Sequence, residues 1–203
     1  MRIRNRFPRV SSERNQYLLD NQWTLVKGPK GIILTILLSI PLMFLNAFIA
    51  FWIIKIFDSI TFEEFGISPD SMGFSINLVY VLGFILILII SHELMHLIFM
   101  PNFIKSKKTY IGLTYFGGYA YSEEIVTKIR LIIIGIAPFF IISIILPIIL
   151  SFFGLLTPFI KLIVLANAAS SSVDILSLIT ILIYVPSGAS LVSNGSKDYW
   201  KKL

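Results

Sequence analysis

The chain has 203 residues, a formal charge of +6, no cysteine, 56% hydrophobic residues and 14% charged ones. So few charges exclude an ordinary soluble domain, where roughly a quarter of residues are charged, and so much apolar content excludes disorder. Without cysteine there is no disulfide scaffold, thiolate metal site or cysteine nucleophile.

Residues 1–30 are polar and basic, with Arg2, Arg4, Arg6, Arg9, Arg14, Lys27 and Lys30. No apolar core precedes Gly31, so a cleavable signal peptide is not predicted. A cytoplasmic tail against anionic headgroups is the reading, with Tyr17 and Trp23 at the interface. Four apolar stretches follow, at about 31–57, 74–100, 129–153 and 158–185. Each exceeds the roughly 20 helical residues that a bilayer requires. None alternates as a barrel strand would, and Pro41, Pro138 and Pro147 predict kinks. The fold class is therefore an all-α membrane protein, a bundle of four transmembrane helices in one unit over 31–185. A second tail covers 186–203.

Loop charge gives the orientation. The 58–73 loop carries Asp58, Glu63, Glu64 and Asp70 with no Lys or Arg, whereas Lys105, Lys107, Lys108 and Lys128 lie in the 101–128 loop. Of 17 basic residues only Lys55 and Lys161 fall near the other side. The positive-inside rule places both termini in the cytoplasm, with a prokaryotic cell membrane as the expected location. The basic residues flank apolar runs instead of forming a nucleic-acid motif, so the bilayer is the predicted partner and nucleic acid is not. Residues 109–121, TYIGLTYFGGYAY, read as a short cytoplasmic-side β-hairpin turning near Gly117–Gly118, with an interfacial aromatic loop as the alternative.

The second span holds His92-Glu93-Leu94-Met95-His96, an H-E-x-x-H pattern containing both histidines of the chain. Residues four apart share a helix face, so both imidazoles can ligate one Zn²⁺ while Glu93 serves as general base. Ionisable groups inside a bilayer cost about 2.5 kcal/mol or more each when charged, and a metal ion compensates them. Hydrogen bonding between helices, or a proton or ion path, would compensate them too. Catalytic zinc usually takes three protein ligands. With no third histidine, the candidate is Asp174, the only acid in the apolar part of the fourth span. At 1.5 Å per residue, His96, His92 and Asp174 lie about 6, 12 and 16 Å from the same face. Glu123 and Glu124 are the alternative third ligands, although acids at a helix start suit its dipole. Ser91, Ser170 and Ser171 are candidates to line a water path.

His92 to His96, Ala137-Pro138-Phe139 and Asn167 through Asp174 together resemble the zincin peptidases of a domain-of-unknown-function family, over about residues 74–185. These are similar in turn to site-2-type intramembrane metalloproteases. The resemblance implies Asp174 as zinc ligand, Asn167 as an oxyanion or substrate contact, and a short sheet after the HExxH helix. An edge strand of that sheet would pair with unwound substrate. The Pro and Asp-Gly of the site-2 pattern are missing, since Val173 precedes Asp174 and Ile175 follows it. The predicted function is an intramembrane zinc-dependent peptidase acting on a membrane-associated peptide or protein near the cytoplasmic side. The alternative is a non-proteolytic membrane protein, transporter-like or regulatory, that uses the His/Asp cluster for ion binding.

Overall fold

The computed structural model describes residues 2–3, 6–29, 31–61, 63–65, 78–114 and 117–202. Arg4, Lys30, Asp70, the 74–77 start of the second predicted span and the hairpin tip at 115–116 lie outside them.

Four helical runs are long and apolar enough to cross a bilayer: Ile32–Phe57, Val79–Phe99, Lys128–Phe152 and Pro158–Tyr184. The first is α2 (Ile32–Phe57) and the second belongs to α3 (Leu78–Phe99). The third joins α4 (Lys128–Ala137), a π-helical stretch (Pro138–Ile145) and α5 (Leu146–Phe152). The fourth joins α6 (Pro158–Ser170) to α7 (Ser172–Tyr184). Local chemistry sets the starts: Thr127 and Thr157 accept the backbone N–H groups of Arg130 and Ile160, and Pro158 occupies the first turn of α6. Large apolar side chains such as Ile33, Phe44, Phe48, Val79, Phe152 and Ile183 face outward. Such a surface suits lipid and not water, and the chain is a multi-pass membrane protein.

Ala50 and Ile54 of α2 pack with Phe139, Leu156, Val164 and Ala168 in a buried apolar cluster. Lys161 lies beside the acidic segment that follows α2. It is 3% exposed, and its Nζ lies 2.7 Å from Glu64 Oε2 and 3.4 Å from Asp58 Oδ2. The segment after α2 is thereby strapped to the first turn of α6.

The all-α expectation needs correction, because two sheets accompany the bundle. β1 (Arg2–Ile3), β3 (Thr109–Thr114) and β4 (Gly117–Ser122) form one, in the order β1-β3-β4. β3 and β4 are an antiparallel hairpin, with Thr109 opposite Ser122 and Thr114 opposite Gly117. The second sheet runs β2-β7-β6-β5, from β2 (Thr24–Leu25), β5 (Val126–Thr127), β6 (Ala189–Asn194) and β7 (Lys197–Lys202). The sequence predicts two tails, yet β2 pairs with β7 and α1 (Ser12–Asp20) adds Leu18 to a cluster with Trp23, Val192 and Tyr199. β6 and β7 themselves flank a two-residue loop opened by Gly195 at φ 60°, a glycine-first hairpin turn.

Candidate metal centre

α3 puts His92 and His96 one turn apart, with ring centroids 5.0 Å from each other. The first turn of α7 supplies Asp174. Its Oδ2 lies 3.2 Å from His92 Nε2 and its Oδ1 3.5 Å from His96 Nε2. Among the described residues these three are the His, Asp and Glu side chains that converge closely enough to hold a metal ion, with one donor atom each within 4.8 Å of the others. Glu123 pairs instead with Arg14, and Glu124 accepts a hydrogen bond from Ser106 Oγ at 2.7 Å.

The other face of each imidazole decides its tautomer. His96 Nδ1 lies 2.8 Å from the backbone oxygen of Ile134, which can only accept, so Nδ1 carries the proton. That carbonyl is available because its helical partner would be the N–H of residue 138, which is proline. His92 Nδ1 lies 3.0 Å from Asn167 Oδ1. The Asn167 amide is oriented by Nδ2, which donates to the Pro138 carbonyl at 2.9 Å and to Ser143 Oγ at 2.8 Å. His92 is therefore also protonated on Nδ1. In the neutral rings both Nε2 atoms then present lone pairs to the carboxylate. Facing acceptors repel unless a cation lies between them, and this donor set suits a divalent metal. Ligands about 2.1 Å from a tetrahedral zinc stand about 3.4 Å apart, close to the 3.2 and 3.5 Å separations seen here.

Asn167 needs a correction. It is fully buried, and both its amide protons are donated within the protein, so it has none left for an oxyanion. It orients His92 instead. The π-helical stretch brings Pro138 and Ser143 to it, and Ser143 Oγ in turn donates to the Val164 carbonyl at 3.1 Å. Sequence reasoning missed Ile134, Pro138 and Ser143 in these roles. A proline four residues after Ile134 was the available signal. The serines expected along a water path also bond locally: Ser91 to the Ile87 and Leu88 carbonyls, Ser170 and Ser171 to that of Asn167.

β4 lies against the same face of α3. A Cβ on Gly118 would sit 2.6 Å from Ile89 Cγ2 and 2.7 Å from Glu93 Cγ, so only glycine permits this approach. The backbone N–H of Glu123 donates to Lys108 O at 3.0 Å, which marks a bonded pair. Bonded and non-bonded pairs alternate along an antiparallel ladder. The backbone groups of Gly118 and Ala120 consequently point away from β3. A cavity of about 210 Å³ adjoins this edge and includes His96, Asp174, Ala120 and Leu178 in its wall.

A family model described as "putative zincin peptidase" matches residues 85–190, just over half of the chain and the stretch holding His92, Glu93, His96, Asn167 and Asp174. Searches of curated proteins and of solved structures found no match.

Proposed function

The chain belongs to the putative zincin peptidase family, and from that premise we propose that it is an intramembrane zinc-dependent peptidase. The observation that carries the proposal is the convergence of two histidine Nε2 atoms and one carboxylate. His92, His96 and Asp174 would hold the metal. Bound zinc supplies Lewis acidity, which acidifies water and polarises a carbonyl. Glu93 takes a proton from the attacking water as oxygen bonds to the carbonyl carbon. It then gives that proton to the amide nitrogen as the C–N bond breaks, leaving a new carboxylate and a new amine.

The outward groups of Gly118 and Ala120 give an unwound peptide backbone a strand to join, with little demand on its side chains. The substrate is a membrane-associated peptide or protein. Its scissile bond lies near the face that carries most of the Lys and Arg, which is the cytoplasmic one.

Glu93→Gln should retain zinc and lose hydrolysis of a membrane-reconstituted reporter, and Asp174→Ala should lose zinc. Retained hydrolysis in Glu93→Gln overturns the base assignment. Metal or proton flux without any cleavage would instead favour the ion-handling alternative.

A further inference from the structure

The cavity beside the metal centre has a chemistry that the hydrolytic steps leave unused. His96, Asp174 and Ala120 of β4 belong to its wall, so it opens where substrate backbone would meet the metal. Leu178 and Ile181 follow Asp174 on the same face of α7 and extend the wall about 10 Å from the carboxylate. There Ile181 packs with Val126 and Leu191. Glu124 lies two residues before Val126, while Ser193, opposite Asp198, lies two residues after Leu191. Glu124 and Asp198 both line the cavity. Its volume of about 210 Å³ therefore runs from the metal ligands, along apolar sides, to a pair of acids.

No Lys or Arg belongs to this wall. Glu124 accepts a hydrogen bond from Ser106 Oγ at 2.7 Å and Asp198 one from Ser193 Oγ at 2.6 Å. Among the described residues neither acid forms an ion pair, whereas the adjacent Glu123 is matched by Arg14. Lys27 and Lys197 border the neighbouring cavity, which Asp198 also lines, and neither pairs with it. A serine hydroxyl solvates a carboxylate without neutralising it. An apolar guest would strip water from both acids, and an acidic guest would meet like charge. A side chain with a methylene stem and a cationic head satisfies the sides and the far end together.

We propose that this cavity takes a lysine or arginine side chain of the substrate from beside the scissile bond. The stem lies along Leu178 and Ile181, and the cation meets Glu124 and Asp198. This role rests on the peptidase reading and names the substrate class for it: membrane-associated segments with a basic flank. Lys and Arg concentrate on the cytoplasmic flanks of membrane-spanning segments, so such substrates carry the required residue at the face where the bond is cut.

The test uses the full chain in lipid nanodiscs, zinc-loaded and carrying Glu93→Gln so that peptides bind without turnover. The probes are fluorescent membrane-spanning peptides whose cytoplasmic flank is a short run of lysine, norleucine or glutamate. The lysine peptide should bind about tenfold tighter than the norleucine one, the weight of roughly one charge-assisted hydrogen bond, and the glutamate peptide weakest. Glu124→Gln with Asp198→Asn should bring the lysine-to-norleucine ratio within about twofold, because the amides keep the shape and remove the charge. Each substitution is also read singly, so the test survives if the double variant fails to fold. Asp20→Asn, which removes an exposed acid of α1 outside the cavity, should leave the ratio as it was. Equal binding of lysine and norleucine peptides overturns the proposal, as does a lysine preference undiminished in the double variant. Hydrolysis of the same peptides by the wild type should follow the same order. If the wild type cleaves none of them, the peptidase reading fails, and the binding ratios still decide the pocket.

Discussion

Replacing Asn167 with alanine tests the metal centre through a residue that touches no metal. Asn167 is fully buried and makes three hydrogen bonds, to His92 Nδ1, the Pro138 carbonyl and Ser143 Oγ. Asn167→Ala removes all three. His92 then loses the acceptor that keeps its proton on Nδ1, and the Nε2 lone pair is no longer fixed toward Asp174. Losing such a supporting contact typically lowers metal affinity about 10- to 100-fold, or about 1.4–2.8 kcal/mol. Folding stability should fall as well, by about 1–3 kcal/mol, because the Pro138 carbonyl loses its side-chain donor in a buried place. Ser143→Ala is the control. It deletes one Asn167 contact and the bond to Val164 but leaves His92 with its acceptor. Zinc affinity, measured by competition with a chromophoric chelator, should fall clearly in Asn167→Ala and little in Ser143→Ala. Wild-type affinity in Asn167→Ala would refute the orienting role.

Two further substitutions probe other parts of the arrangement. Gly118→Ala places a methyl group 2.6–2.7 Å from Ile89 and Glu93, so β4 must shift; reporter hydrolysis should drop with zinc content preserved, and an undiminished rate would detach β4 from the chemistry. Lys161 holds the Glu64 carboxyl below its ordinary range, chiefly through their hydrogen bond. A lowered acid stabilises the fold above its unfolded value and loses that contribution as pH falls through the folded one. Wild-type Tm should therefore decline between about pH 5 and 3. Lys161→Met should lower Tm at neutral pH and flatten that decline, which differential scanning fluorimetry in detergent would read.

The four helical runs were legible because length and apolar content alone decide them, and their observed ends fall close to the predicted ones where they are described. The shared face of His92 and His96 followed from helix period. Meeting Asp174 required two separate spans at one depth, which rise per residue could suggest but not fix. What escaped the sequence depends on atoms far apart in the chain. The Ile134 carbonyl is free only because residue 138 is proline, and its use depends on α3 packing beside α4. Asn167 sits in a small, polar stretch whose partners arrive through a π-helical turn that no periodicity announces. The burial of Lys161 was not legible because its acidic partners lie about a hundred residues earlier. The second sheet was hidden for a related reason: its first strand is two residues long and its partner β7 closes the chain.

The short strand at Arg2–Ile3 lies parallel to β3, on the side away from β4. The β3–β4 hairpin alone has two borders, and β1 covers the one along β3, leaving a two-residue strand at that side of the sheet. An incoming strand finds six residues to pair with along β4, beside Glu93, and only two along β1. Self-occupation of the idle border thus acts as a guide: it turns a surface that could stack on its neighbours from either flank into one that recruits from a single direction.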